Sequence, residues 1–476
     1  MNKNSFLDTD IGAIRASKKL NKFIAYTKDD YEFNWHHSYL CGVLDDFVAG
    51  KIKKLMVFMP PQHGKSEIVS RRLPAFMLGK NPNLKIAGAS YSHGLATKFN
   101  REIQRIMTSK EYSLVFPKTK LNEKRVVSDA KGSWLRNSEM FEVVGEQGSY
   151  LSVGVGGGLT GNRVDIMLLD DVVKDASQAS SPSFQKRNIE WFDSVVDTRL
   201  HNDSQVLLCM TRWDVDDLAG VLLARESADW TVISFPAICE NKANQDDPRE
   251  IGEVMWESRH NLEKILRIKK NSNKIFNSLY QQNPRPPDDI LVFSNAMKIS
   301  AMPNIYEKII GVDFGFSNSQ TGICLVEIDR NNKRIYAKEL YYNVGATNNT
   351  IANILAEYKL LCYCDSAEPK SVEELKVLGI NALPAKKFPN SVLTQILYLQ
   401  EFEIFYTGVN FDFERNHYQW QIGAGGYPIN KEIDKYNHLF KALMYAVYTH
   451  LEGNTQVKPI TTSQTKRYRV NNPQRH

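Results

Sequence analysis

The stretch LMVFMPPQHGKSEIVSRRLPAFM, residues 55–77, decides the fold of the first half of the chain. Its apolar run Leu55 to Met59 predicts a buried strand, PPQHGKSE a turn, and Ile68 to Met77 a helix. Strand, turn and helix in that order build a phosphate-binding loop. Gly64 allows close backbone approach, Lys65 brings a cation to the β and γ phosphates, and Ser66 holds Mg²⁺. Gln62, His63 and Glu67 complete the turn around the phosphates. Met59 stands where the first glycine of the usual pattern belongs, so the loop needs a second element to give it meaning.

IMLLDD, Ile166 to Asp171, supplies that element as an apolar strand ending in paired carboxylates. Asp170 is placed to hold Mg²⁺ and Asp171 to orient an attacking water, so the two motifs together favour NTP hydrolysis over a plain strand-to-helix turn and a solvated strand end. Thr211 ends a further apolar strand in TRW, where it either senses the γ-phosphate or caps the next helix. GVGGGLTGNR, Gly154 to Arg163, reads either as a mobile loop on DNA or a neighbouring subunit, or as a long turn.

Working outward, KLMVFMP, LKIAGAS, VDIMLLD, QVLLCMT and TVISF alternate with helical patterns, the α/β grammar of a largely parallel sheet. The three prolines of QQNPRPPDD mark a break, giving a first domain over 1–283 with a helical N-terminal extension, a Pro-rich linker over 284–300 and a second domain over 301–452. Residues 453–476 lose apolar periodicity and form an expected flexible basic tail, either a docking segment or a solvated terminus.

In the second domain KIIGVDF, TGICLVEI and RIYAKELYY follow one another as an antiparallel meander, and LLCYC adds a strand to a mixed sheet. Asp313 and Asp365 end two of these strands. Carboxylates on adjacent strands converge on Mg²⁺ or Mn²⁺ at a phosphodiester, so the pair points to a nuclease. A helix beginning after Ile433 would set Asp434 and His438 one turn apart, either as the third member of that metal site or as a helix cap and a surface histidine.

The 476 residues, 42% hydrophobic and 24% charged, exclude fibrous and disordered classes and suit more than one globular core. A net charge of +6 fits a polyanion partner without deciding it. The first twenty residues lack a secretory core, and no segment approaches the roughly 20 apolar residues that span a bilayer. The six cysteines are scattered and read as buried thiols, with Cys362 and Cys364 on one face of a strand.

Several segments, in order, make the chain resemble the large terminase subunits of tailed bacteriophages. WHHSYLCGVLDDFVAGKIKKLMVFMPPQHGKSE, SYSHGLATKFNREIQRIM, GGGLTGNRVDIMLLDDVVKD and LLCMTRWDVDDLAG resemble their ATPase segments; VDFGFSNSQTG and CDSAEPKSVEELK resemble their nuclease strands. The resemblance implies an ASCE-type P-loop NTPase followed by an RNase H-like nuclease, with ATP-driven translocation of double-stranded DNA into a prohead and endonucleolytic cutting. It implies a ring on the portal protein, a small terminase subunit as partner, and work in the host bacterial cytoplasm without export. On the matching positions Lys65, Ser66, Asp170 and Asp171 carry over as the nucleotide site, Thr211 as coupling, and Asp313 and Asp365 as nuclease metal ligands.

Arg101 or Arg163 is expected to neutralise transition-state charge, or else to contact DNA. Where the family's late helix reads NHxxDAxRYA this chain has NHLFKALMYA, so Lys441 stands in place of an aspartate. Either Asp434 and His438 complete the site or the nuclease is weakened. The competing readings are a motor whose nuclease fold is inactive and a helicase-like ATPase with a nuclease domain in DNA repair.

Overall fold

The computed structural model describes residues 10–127, 133–159, 161, 163–242, 246–286, 288–315, 319–423 and 427–452. The chain divides into two compact units, Met1–Arg285 and Pro286–His476. The tail expected over 453–476 lies outside the described residues, as do Thr160 and Asn162 of the glycine-rich segment.

The first unit is built on a seven-stranded sheet. Its strands are β1 (Lys54–Phe58), β2 (Lys85–Ser90), β3 (Met140–Glu142), β4 (Ser149–Gly154), β5 (Ile166–Asp170), β6 (Gln205–Met210) and β7 (Thr231–Ser234), in the order β3-β4-β2-β5-β6-β1-β7. Only β3 runs antiparallel to its neighbour. The five apolar runs of the sequence are β1, β2, β5, β6 and β7, and β6 is the strand inserted between the phosphate-loop strand and the acidic strand.

Because β1, β5 and β6 are covered on both faces, their continuous apolar runs divide between two cores. Leu55, Val57 and Leu207 enter one; Met56, Phe58, Leu208 and Leu169 enter the other. β3 and β4 extend the sheet beyond the expected strands, and Gly154, assigned to the glycine-rich loop, is the last residue of β4.

The helix after the phosphate loop runs as a π-type segment, Glu67–Arg72, continuing into Leu73–Lys80. Pro74 explains the widened turn. It has no N–H to give an ordinary i−4 carbonyl, and just before it the Leu73 N–H reaches Ile68 O instead.

The second unit has a mixed sheet of β8 (Met297–Lys298), β9 (Lys308–Asp313), β10 (Gln320–Asp329), β11 (Arg334–Val344), β12 (Cys362–Cys364), β13 (Ala382–Pro384) and β14 (Glu403–Thr407), ordered β13-β12-β9-β10-β11-β14-β8. The meander β9-β10-β11 is antiparallel and the remaining pairings are parallel. The helix His438–Glu452 lies directly on this sheet. A Cβ on Gly311 would stand 2.0 Å from Ala442 O, and one on Gly322 would stand 2.8 Å from the backbone of His438, so both glycines are the condition for that close approach.

Two expectations change here. The linker over 284–300 is shorter, because Val292 and Phe293 are buried in the second core, Phe293 stacks on Phe440 at 4.6 Å, and β8 pairs with β14. The last helix starts at His438, so Asp434 precedes it and does not share a helical face with His438. All six cysteines are buried free thiols, Cys362 and Cys364 in one core cluster. Among the described residues no helix is long and apolar enough to cross a membrane.

Candidate functional site

β1 delivers the phosphate loop into a cleft of about 770 Å³ at the carboxyl ends of the parallel strands. The loop is fixed from behind by histidines. His37 Nε2 donates to His63 O at 2.9 Å and His36 Nε2 donates to the same oxygen at 3.2 Å. His37 also closes the capping box with Asn34 at the start of the helix Trp35–Val48. Burial pushes His36 down to about 2, His63 to about 3 and His37 to about 4, so the three rings are neutral donors at physiological pH.

The loop backbone itself is unusual, with Gln62 at φ 61° and Gly64 at φ 94°. A Cβ on Gly64 would lie 2.5 Å from His37 Nε2, so only glycine closes this turn. Lys65 and Ser66 follow at the helix start, where exposed N–H groups favour an anion.

The acidic strand β5 ends opposite Lys65. Burial alone would lower the Lys65 pKa, but attraction to Asp171 and Asp170 outweighs it, and the ammonium is held charged against Asp171 Oδ1. Asp171 has φ 47°, a left-handed conformation that aspartate tolerates, and its Oδ1 also accepts the Thr211 N–H at 3.4 Å. Asp170 is 3% exposed; burial and the neighbouring Asp171 raise its pKa. Its Oδ2 accepts from Ser70 Oγ, brought into reach by the π-type turn, while its Oδ1 has no partner. A buried carboxylate oxygen without a donor beside Ser66 fits a Mg²⁺-bearing nucleotide.

Of the expected nucleotide residues, Gln62, Gly64, Lys65, Ser66, Glu67, Asp171 and Thr211 line the cleft. His63 and Asp170 lie behind it, His63 stacked on His260 at 4.4 Å. Neither expected arginine lines the cleft: Arg101 is exposed on the helix His93–Met107, and Arg163 pairs with Asp165 at 3.1 Å. Arg71 and Arg259 do, together with Lys28, Tyr31 and Trp256. Arg71 pairs with Glu102 and lies over Phe99, and Arg259 lies over Trp256 at 5.0 Å. Arg71 is one turn beyond the phosphate loop and was findable; Arg259 sits in no motif.

In the second unit Asp313 and Asp365 end the neighbouring parallel strands β9 and β12, and the Asp365 N–H donates to Val312 O at 3.0 Å. Topology thus sets them side by side at the carboxyl ends of two adjacent inner strands. Asp313, 4% exposed, is raised by burial and partly restored by its hydrogen bond from His438 Nδ1 at 2.8 Å. His438 Nε2 lies 3.2 Å from Ser319 Oγ. Asp365 Oδ1 accepts from Lys387 and from Ala367 N–H, and its Oδ2 from Tyr445 at 3.4 Å.

His438 therefore contacts Asp313, whereas Asp434 does not join the pair. Asp434 accepts from Lys441 Nζ at 2.7 Å, and its side chain is 89% exposed. Among the described residues no three or more His, Cys, Asp or Glu side chains are grouped to hold a metal ion. Sequence reading also missed Glu414, wholly buried, whose Oε2 accepts the N–H groups of Leu439 at 2.9 Å and Phe440 at 3.1 Å at the start of the last helix.

Comparison with known proteins follows the same two-part division. The family model "Terminase large subunit, T4likevirus-type, N-terminal" matches residues 56–269, and "Terminase RNAseH like domain" matches 313–449. The PBSX phage terminase large subunit of Bacillus subtilis (strain 168) is 27% identical over 171 residues, 35% of this chain; the match spans 38% of that relative's length. The large terminase of bacteriophage HK97 is similar over 90% of this chain and 98% of its own, at 12% identity and TM-score 0.42. The nuclease domain of the bacteriophage SPP1 large terminase, solved with bound Mn, is similar over 34% of this chain and 98% of its own, at 25% identity and TM-score 0.32. Two terminase models in succession, each falling within one structural unit, make the assignment: the chain belongs to the family of phage large terminase subunits.

Proposed function

We propose that the chain is an ATP-hydrolysing motor that drives double-stranded DNA into a viral prohead in the host bacterial cytoplasm. The observation that carries this reading is the convergence of Lys65, Ser66 and Asp171 on one cleft, with Asp170 buried directly behind them. Lys65 and the helix-start N–H groups bind the β and γ phosphates, and Asp171 orients the attacking water. Ser66 and the free Oδ1 of Asp170 would hold Mg²⁺, which neutralises charge on the phosphate oxygens. Arg71 and Arg259, which line the cleft, would meet charge developing on the γ-phosphate. Thr211, bonded to Asp171 at the end of β6, links a change at the phosphates to the central sheet.

The family role brings a portal protein, a small terminase subunit and a ring of copies as partners. DNA contacts are expected mainly with phosphates. Lys65→Ala should abolish both ATP hydrolysis and nuclease-protected DNA uptake into portal-bearing proheads; a folded Lys65→Ala chain that still hydrolyses ATP overturns the reading.

For the RNase H-like unit, metal-dependent cutting by Asp313, Asp365 and Asp434 does not fit the residues present, because Asp434 faces Lys441 and the described residues offer no three-ligand group. Lys441 favours a second reading, a motor whose nuclease fold does not cut unaided. Plasmid cleavage by the purified chain with Mg²⁺ or Mn²⁺, lost on Asp313→Ala, would restore the nuclease and sink that second reading.

A further inference from the structure

The carboxylate pair of the second unit is already compensated. Lys387 pairs with the strand-end Asp365, and Lys441 pairs with Asp434 while its charge also acts on the strand-end Asp313 and Asp365. Lys441 is no surface lysine: its side chain is 19% exposed, and on the helix His438–Glu452 it shares a face with His438, bonded to Asp313, and Tyr445, bonded to Asp365, and lies between them. Lys387 is held in place by the face of Tyr445, its Nζ 4.8 Å from the ring. The oxygens of Asp365 accept from Lys387, Ala367 and Tyr445, and Asp313 accepts from His438.

A hard divalent cation binds where oxygen ligands carry uncompensated negative charge, and its affinity follows the count of charged ligands. Here each carboxylate is engaged by a donor, and a buried carboxylate such as Asp313 requires a cation nearby in any case. Lys441 meets that requirement from within the chain. A divalent ion arriving at the same pair meets like charge at close range and must displace hydrogen bonds to Asp365.

We propose that Lys441 is the resident cation of this carboxylate centre, so that Asp313 and Asp365 take up a divalent metal only once its ammonium is removed. The proposal deepens the second reading of the RNase H-like unit: the cutting chemistry is blocked by charge rather than by loss of the fold. Lys441 is on this account a specificity-determining residue, deciding which cation the site holds.

The test is Mn²⁺ binding to the full chain without nucleotide, followed by titration calorimetry, in wild type and Lys441→Gln, each with and without Asp313→Ala. The glutamine removes the charge without adding a ligand. Wild type should show no Mn²⁺ that depends on Asp313. Lys441→Gln should gain one Asp313-dependent Mn²⁺ per chain, and Lys441→Asp should bind it more tightly by on the order of tenfold or more. Asp313-dependent Mn²⁺ in wild type overturns the proposal. So does a folded Lys441→Gln chain that gains none, even if Lys441→Asp binds, because ligand count and not charge would then be the determinant. Should Lys441→Gln fail to fold, the wild-type arm alone decides. The motor reading is judged separately by ATP hydrolysis in Lys65→Ala, so its failure and this one are distinguishable.

Discussion

The ammonium of Lys65 is hydrogen-bonded to Asp171 Oδ1, the same oxygen that accepts the Thr211 N–H at 3.4 Å. A phosphate reaching Lys65 therefore competes with the carboxylate proposed to orient the attacking water. Asp171→Asn weakens that competition and removes the carboxylate together, which predicts slower turnover with undiminished binding. The kcat for ATP hydrolysis should fall by roughly 10²–10⁴-fold, while KM for ATP stays level or falls. A steady-state titration reads both. An Asn variant with kcat near wild type would remove Asp171 from the chemistry.

Gly64 faces a second constraint. At φ 94°, with His37 Nε2 2.5 Å from where a Cβ would stand, Gly64→Ala must shift either the loop or the histidine that holds His63 O. The expected cost is on the order of 1–3 kcal/mol, with loss of nucleotide affinity because the helix-start N–H groups move. Thermal unfolding and binding of a fluorescent ATP analogue measure the two effects. Unchanged stability with full affinity would show that the loop closes by some other route.

The buried histidines give the first unit a definite acid sensitivity. His36, His37 and His63 hold folded pKa values of about 2, 4 and 3 against 6.5 when unfolded, all depressed by burial. Below 6.5 the unfolded chain takes up protons that the folded rings refuse, so stability present above that pH is lost as pH falls toward 4. Each ring contributes roughly 1 kcal/mol per pH unit across that window. Replacing His36, the ring pushed lowest, by Phe should flatten the slope by about a third. Denaturant unfolding of the first unit at about pH 7 and about pH 5 checks this, and equal stability at both would refute it.

The strands and the nucleotide site were legible because their determinants are local. A run such as Met56–Val57–Phe58 reads as a strand covered on both faces, and parallel topology brings Lys65, at the helix start after β1, to Asp170 at the end of β5. What escaped was decided across long sequence separations. β4 carries Gly154 and two serines, yet Ser149–Gly154 is a strand because β2 offers it a parallel edge. Val292 and Phe293 follow a proline-rich stretch that reads as linker, but Phe440 supplies an aromatic partner nearly 150 positions away. Arg259 and the histidine cluster reach the phosphate loop only through the folded cleft. Asp434 fits a helical pattern, but the actual first turn is set by Glu414.

That last relationship yields a prediction of opposite sign for the second unit. Glu414 is wholly buried, its Oε1 has no partner, and burial raises its pKa to about 7 from an unfolded 4.5, despite the two helix N–H groups that favour the charged form. The folded chain keeps this proton where the unfolded chain has released it. The contribution to stability is therefore full below 4.5 and is lost as pH rises through about 7. Over that window the second unit should weaken by roughly 2–3 kcal/mol, the reverse of the histidine effect in the first unit. Glu414→Gln retains an acceptor for Leu439 and Phe440 without a titrating proton, so its unfolding should lose that slope and match or exceed wild type above pH 7. Glu414→Ala leaves both N–H groups unpaired and should cost about 3–5 kcal/mol at any pH, with loss of the His438 to Asp313 contact that the helix start positions. Calorimetry resolving the two units as separate transitions reads all three chains; a Gln variant that keeps the wild-type slope would show that another group carries it.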